Sequence, residues 1–564
     1  MSPVPELPSQ LSLVSYAVNG SGLGHLVRQI AIHRWLRRYT TFAGVRAQHW
    51  FITTSEADTW LFHEGFAGFK LPSKSVIEES GAQKLAYLAL AKQWVWHSLA
   101  LLRPDLLIVD TFPNGSFGEL LGALDLCRHR ALVLRPVKEA WADQPGFRAM
   151  VGLYDRVVVP ADADDFPGFA ARFQIEPSRL AMVGPIFRAE DFELLPRAEA
   201  RRRIGVPEGA TCLLVSGGGG GDATVDRLFD RVQAALADDP EVFLVLAAGP
   251  LYRGPARRGP RTIWWTTPDL ALHLRAFDGA VAAGGFNSVH ELLHAGVPAL
   301  FVPQEKIADD QAARVDALVA AHAALRADLG DEAALRAGLR ALRDPAHAAA
   351  LRAAAQARVP RSRAREAALA LLDLLLPQSV LRQAEAAVDD DLLRAAQAEE
   401  VPLEALCDLA AALHGPRRDI DRAALDLDPA LEIIRAARRH RVPVPSASRI
   451  AGLLARKLRG PRPAGADAVA DAVLALVEHP AAREQHAAVA MILGALTGER
   501  DLAPVDLAER LCDLLARALA RGRDGFAIAR MIAEEADQGA AEGTSNAPLF
   551  ARLHARLAAA EAPA

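Results

Sequence analysis

Residues 280–311, AVAAGGFNSVHELLHAGVPALFVPQEKIADDQ, constrain the fold more than any other stretch of this chain. An apolar run ends in Gly284-Gly285. A helical stretch starts at Asn287-Ser288 and carries Glu291. A second apolar run, Val297 to Val302, leads into a polar loop reaching Gln311. Strand, helix and strand in this order predict a β-α-β unit. Paired glycines let backbone come close to a ligand because no side chain intervenes. The free N–H groups of a helix start are donors for anionic oxygens. A glutamate one turn into that helix can accept hydrogen bonds from ribose hydroxyls. The plainer alternative is a β-α-β unit with a glycine turn and no ligand.

Two further glycine loops repeat the theme. Thr211 to Ser216 (TCLLVS) reads as a buried strand that breaks into Gly217–Gly221, followed by a helical stretch from Val225. Five consecutive glycines cost much backbone entropy on ordering, which a chain tolerates where backbone must approach a ligand or where the loop must move. Near the N-terminus, Leu11 to Val18 reads as a strand running into Asn19-Gly-Ser-Gly-Leu-Gly-His25, and a helix follows. Ligands bind beyond the carboxyl ends of strands in open α/β sheets, which places Asn19, Ser21 and His25 at the mouth of a cleft. No third glycine completes a G-x-G-x-x-G spacing after Gly24, so the loop is not read as a dinucleotide fingerprint.

The 564 residues exceed one domain. Residues 1–190 alternate strands (Leu11–Val18, His49–Thr53, Leu106–Val109, Ala131–Leu134, Arg156–Val159) with helical stretches. Residues 191–376 do so again (Cys212–Val215, Val242–Ala247, Thr262–Trp265, Gly279–Ala282, Ala299–Val302). Such alternation predicts two α/β halves with parallel sheets. From 377 to 564, Ala, Leu, Arg and Glu dominate at helical spacing, which predicts an all-α domain, stacked in the manner of a solenoid, that binds a partner, oligomerises or braces the rest. The net charge of −5 gives no footprint for nucleic acid. Cys127, Cys212, Cys407 and Cys512 lie far apart and suggest neither a zinc site nor a disulfide framework. No secretory leader or membrane span is expected.

The order strand–GG–NS–xx–E–helix–GVP–strand–Q resembles the C-terminal half of GT-B glycosyltransferases, and most of all MurG and its relatives. The pattern Gly22-Leu-Gly24-His25-Leu-Val-Arg28 is similar to a loop of those relatives and of the UDP-sugar hydrolase of pseudaminic acid synthesis, which shares the fold. The resemblance covers about two-thirds of the chain. It implies two Rossmann-like domains facing a cleft, an N-terminal acceptor domain and a C-terminal donor domain. It also implies transfer of a sugar from a UDP-sugar (UDP-GlcNAc or UDP-glucose) to an unidentified acceptor, with inversion. Donor contacts fall on Gly24, Gly217, Gly218, Gly219, Gly285, Asn287, Ser288, Glu291 and Gln311. The base-binding segment falls near Trp264. His25, or else Asp110 at the end of the strand LLIVD, removes the acceptor proton. Asn19, Ser21 and Arg135 face the acceptor. Neither a metal nor a cofactor is expected beyond the nucleotide sugar, because helix starts and glycine loops supply positive potential to the leaving group. The D-x-D sequence at 162–164 is read as a polar loop. The expected compartment is the cytoplasm. The arginines of residues 26–38 are read as a solvated face, with peripheral membrane contact as the alternative. Three rivals stay open: a UDP-sugar hydrolase, an epimerase on the same fold, and a non-catalytic scaffold serving the helical domain.

Overall fold

The computed structural model describes residues 7–388 apart from 19–21, 223, 268 and 307. Asn19, Ser21 and the helical domain expected over 377–564, from residue 389 onward, lie outside the described residues.

The first sheet is built from β1 (Gln10–Ala17), β2 (Arg46–Thr53), β3 (Ala67–Lys70), β4 (Leu106–Asp110), β5 (His129–Val133), β6 (Arg156–Val159) and β7 (Leu180–Met182), in spatial order β3-β2-β1-β4-β5-β6-β7. Every pairing is parallel. Helix α1 (Gly24–Phe42) connects β1 to β2. The second lobe runs β8 (Thr211–Ser216), α2 (Val225–Ala235), β9 (Val242–Ala247), β10 (Thr262–Trp265), β11 (Gly279–Ala283), α3 (Phe286–His294), β12 (Ala299–Val302), α4 (Gln311–Ala320) and β13 (Leu325–Arg326). Its strand order is β10-β9-β8-β11-β12-β13, again all parallel. Both sheets belong to one compact unit, Met1–Arg37 with Val45–Gln378. The other unit takes in Arg38–Gly44 and the chain from Ser379.

The central strands are apolar on both faces. All five residues of β4 and of β11 are buried, as expected for a parallel sheet covered by helices on each side. Both sheets reverse their winding at one place, between β1 and β4 and between β8 and β11. At such a switch point the connections leave in opposite directions, so a crevice opens beyond the strand ends. The loops after β1, β8 and β11, and the carboxyl end of β4, are the segments singled out by sequence. Two Rossmann-like lobes arranged in this way are the GT-B architecture.

Two sequence expectations are corrected here. The strands β3, β7 and β13, four, three and two residues long, are too short to show a period and are not among the expected strands. The arginines of α1 do not form a solvated face. Arg28 and Arg34 are 1% and 7% exposed. Arg28 is bonded to Asp110, Arg34 is paired with Glu193, and Arg37 lies over the Phe66 ring and donates to the Gly65 carbonyl at 2.9 Å. Internal partners hold Arg28 and Arg34 because α1 runs through the interior, while Arg37 stays partly exposed. No helix among the described residues is long and apolar enough to cross a membrane.

Candidate active site

A cavity of about 890 Å³ opens between the two lobes, at the upper end of the roughly 300–1,000 Å³ usual for ligand pockets. His25, the second residue of α1, lines it. Its Nδ1 lies 2.5 Å from Asp110 Oδ1. Asp110 is fully buried at the end of β4. Its carboxylate also accepts from Arg28 Nε at 2.9 Å and Nη2 at 2.7 Å, from Gln29 Nε2 at 3.0 Å and from Thr111 Oγ1 at 2.8 Å. Burial alone would raise the Asp110 carboxyl. Arg28 and His25 outweigh that and hold it far below the usual carboxylate range. An ionised Asp110 accepts a hydrogen bond from His25 Nδ1–H and leaves Nε2 bare, on a side chain that is 12% exposed and lines the cavity. Burial also lowers the imidazole below its ordinary value despite the pull of Asp110, with Arg135 and Arg28 adding to the effect. A neutral His of this tautomer is a proton acceptor at neutral pH. Asp110 itself is enclosed and acidic, so the expectation that it acts as an alternative base is corrected: it orients His25.

Local backbone supports the dyad. Thr111 adopts φ 61°, a conformation that costs a non-glycine residue on the order of 1–3 kcal/mol. The following loop, which lines the cavity through Asn114 and Ser116, is pinned from below. Glu119 accepts from the N–H groups of Ser116 (2.7 Å) and Phe117 (2.8 Å) and from Tyr16 Oη (2.5 Å), and Tyr154 Oη donates to the Pro113 carbonyl. Phe112, Trp141 and Phe147 make an aromatic wall beside His25, with ring centroids 5.6 Å from His25 to Phe112 and 5.9 Å from Phe112 to Trp141.

The opposite side of the cavity is made of backbone. Helix α3 is capped by Gly285, which supplies no side-chain cap; its first N–H groups therefore remain available as donors. Gly217–Gly221, Gly285, Asn287, Ser288 and Glu291 all line the cavity. Gly218 and Gly220 have φ of 73° and 85°, which requires glycine or a strained residue. A Cβ on Gly249 would overlap the Gly218 carbonyl, so the glycine loop is seated on glycine from beneath. Asp222 after this loop pairs with Lys306 and accepts from Thr224 N at 2.8 Å. Gln304 Nε2 donates to Thr224 Oγ1 at 2.9 Å.

Asn287 donates from Nδ2 to the Gly24 carbonyl of the first lobe at 3.4 Å, while its Oδ1 is buried without a hydrogen-bond partner. Glu291 faces the cavity, and burial pushes its carboxyl up to about 7 against the influence of Arg188. Gln311 opens α4, 4% exposed, with Oε1 accepting from Gln304 N at 2.9 Å. Arg135 is paired with Asp309, which Arg314 also holds at 2.6 Å. Arg135 lines the cavity, and its guanidinium also ties the lobes together. Lys138 does likewise, donating N–H to the Ala308 carbonyl at 2.9 Å and Nζ to the Lys306 carbonyl at 2.6 Å.

Trp264 is corrected. Its indole packs away from the cavity against Phe229 (5.5 Å) and Tyr252 (5.3 Å), whereas Trp265, one residue on, lines the cavity. Strand alternation sends neighbouring side chains to opposite faces. The D-x-D segment ends in a short turn in which Asp165 pairs with Arg358. Arg28, Gln29, Arg188 and Lys306 are not among the expected site residues, whereas Thr111 is expected beside Asp110, to position an acceptor or help His25. Only Arg28 carried a signal, through its place in the loop pattern.

The two lobes and their switch-point loops have the GT-B fold. No family model matches the chain. Its sequence is MurG-like: it is 28% identical over 131 residues to the UDP-N-acetylglucosamine–N-acetylmuramyl-(pentapeptide) pyrophosphoryl-undecaprenol N-acetylglucosamine transferase of Aquifex aeolicus, a match covering 23% of this chain and 38% of that enzyme. Similar solved structures include the kitacinnamycin glycosyltransferase (19% identity, 65% of this chain and 100% of that one, TM-score 0.46) and a calicheamicin glycosyltransferase (18%, 65% and 100%, 0.44). A third is a putative UDP-N-acetylglucosamine 2-epimerase from Listeria monocytogenes (12%, 64% and 96%, 0.45).

Proposed function

We propose that this protein is an inverting, metal-independent glycosyltransferase that uses a UDP-sugar, UDP-GlcNAc or UDP-glucose, with His25 as general base. The observation that carries the reading is the His25–Asp110 dyad facing a glycine-built, helix-capped wall across one cavity. The acceptor hydroxyl gives its proton to His25 Nε2 as its oxygen bonds to the anomeric carbon, and the bond from that carbon to the diphosphate oxygen breaks. Asp110 stabilises the imidazolium that forms. The departing diphosphate carries developing negative charge. N–H groups of Gly285–Ser288 and of the glycine loop after β8 meet it, with Lys306 beside them. Glu291 takes the ribose hydroxyls, and Gln311 the sugar through its Nε2–H groups. The aromatic wall of Phe112, Trp141 and Phe147 suits an acceptor that presents a ring or apolar face.

Isothermal titration with UDP, dTDP and GDP tests the donor half of this reading. UDP is expected to bind most tightly, and Glu291→Ala and Ser288→Ala are each expected to weaken it about tenfold, the loss of one or two good hydrogen bonds. Equal binding of all three, or no binding, contradicts it. Turnover then separates the activities: a UDP-sugar consumed rapidly without an acceptor identifies a hydrolase, and conversion to an isomeric UDP-sugar identifies an epimerase.

A further inference from the structure

Helix α1 carries polar residues four apart, His25, Gln29 and His33, which this spacing stacks on one face. Gln29 and His33 are fully buried, as is Ser15 on β1. A continuous line of hydrogen bonds starts at the dyad and leads away from the cavity. Asp110 Oδ2 is 3.0 Å from Gln29 Nε2, Gln29 Oε1 is 2.7 Å from Ser15 Oγ, Ser15 Oγ is 2.8 Å from His33 Nε2, and His33 Nδ1 is 2.9 Å from His49 Nδ1. The direction of every bond follows from the first. An ionised carboxylate only accepts, so Gln29 turns its NH2 to Asp110 and its oxygen to Ser15. The Ser15 hydroxyl donates to that oxygen and must therefore accept from His33 Nε2–H. A neutral His33 then has a bare Nδ1, and His49 donates to it from Nδ1–H.

We propose that Ser15, Gln29, His33 and His49 form a positioning relay that holds Asp110, and through it His25, in the geometry needed for proton abstraction. The His49 Nδ1–H group closes the line by holding His33 in the tautomer whose Nε2–H donates to Ser15. The proposal rests on the reading of His25 as the general base. Without that group His33 can take the opposite tautomer, whose bare Nε2 draws the Ser15 hydroxyl away from Gln29. The Gln29 amide then loses its anchor, and Asp110 loses a fixed donor. Burial keeps both relay imidazoles neutral at pH 7, reinforced by the neighbouring Arg37. Replacing His49 or Ser15 with an uncharged residue thus leaves the charged groups around His25, namely Asp110, Arg135 and Arg28, as they were. A change at His25 can then reach it only through the relay.

The test compares wild type with His49→Phe and Ser15→Ala in the full-length protein. Each is checked by circular dichroism, and diethyl pyrocarbonate labelling of His25 is followed by peptide mass spectrometry as a function of pH. This reports the His25 titration whether or not a sugar substrate is known. The relay predicts that the His25 labelling profile moves by about half a pH unit or more in both variants. It also predicts that kcat on the accepted UDP-sugar falls about threefold to tenfold while KM stays within about twofold. Folded variants whose His25 profile overlays that of wild type overturn the relay. A wild type inert towards every nucleotide sugar overturns the transferase reading instead, while the labelling profile still decides the relay.

Discussion

Replacing Asp110 with asparagine puts the dyad under two separable strains. The carboxylate is the shared acceptor for Arg28, Gln29, Thr111 and His25, and both it and Arg28 are almost wholly shielded from solvent. An asparagine has one acceptor oxygen for these donors, and its NH2 must face one of them. Arg28 is left as a buried charge without a counterion, which costs on the order of 3–5 kcal/mol. With an unfolding entropy of about 2 cal/mol/K per residue over a unit of this size, Tm should fall by roughly 4–6 °C. Turnover should fall further, because an NH2 turned towards His25 Nδ1 selects the Nε2–H tautomer, which cannot accept a proton. The loss of a correctly oriented base is worth about 10²–10⁴ in kcat. Adding Arg28→Met removes the orphaned charge and should restore most of the Tm without restoring kcat. Thermal unfolding and UDP release are the assays. An Asp110→Asn variant within about threefold of wild-type kcat, or a double variant that regains activity along with stability, refutes the assignment.

Other parts of the site yield predictions of their own. Glu291 has a folded-state value of about 7, above its ordinary 4.5. Its contribution to stability is therefore full at low pH and is lost as pH rises from about 4.5 to 7. Glu291→Gln should stabilise the unliganded protein by on the order of 2–3 kcal/mol at pH 8 and leave pH 4 unchanged, and equal denaturant midpoints at both pH values would argue against this. His49 and His290 are held at about 3 by burial, and His33 well below its ordinary value. The unfolded chain binds protons that the native state refuses, so stability should decline as pH falls from about 6.5 towards 3, which urea titrations at pH 7, 5.5 and 4.5 will detect. Trp265→Ala should raise the donor KM, whereas Trp264→Ala should spare donor affinity, although both indoles pack on a core and each truncation should lower stability; the reverse pattern in KM would mean that the face of β10 is misassigned. Gly249→Ala forces the Gly218–Gly219 backbone to move and should weaken UDP binding about tenfold or more while His25 labelling stays unchanged.

The sheets were legible because parallel strands buried on both faces write continuous apolar runs. The sequence ranges for β6, β9, β10 and β12 coincide with those in the structure. The edge strands β3, β7 and β13 were not legible: two to four partly exposed residues carry no period. At the site, glycine loops following apolar runs located the backbone wall, because a glycine run at a strand end has few other uses. The partners of Asp110 were hidden. Thr111 is its next neighbour in the chain, whereas Gln29 meets it only after α1 and β4 converge at the switch point, and no spacing in the chain announces that meeting. The same holds for Arg188 and Lys306. The arginines of α1 were misread because a helix running between packed layers can bury charge only when paired acids arrive from distant segments, here Asp110 and Glu193. The shift from Trp264 to Trp265 is a matter of one residue, which in a strand selects the opposite face.

The central claim is that His25, oriented by Asp110, takes a proton from a sugar acceptor opposite a bound UDP-sugar. The most direct measurement is UDP release from the UDP-sugar that binds best, with and without a panel of hydroxyl acceptors, for wild type and His25→Ala in parallel. The account predicts slow release alone, acceleration by at least one acceptor with formation of a glycoside of inverted anomeric configuration, and loss of that acceleration in His25→Ala with UDP affinity preserved. Acceptor-stimulated turnover that survives His25→Ala, or release that no acceptor alters, would contradict it.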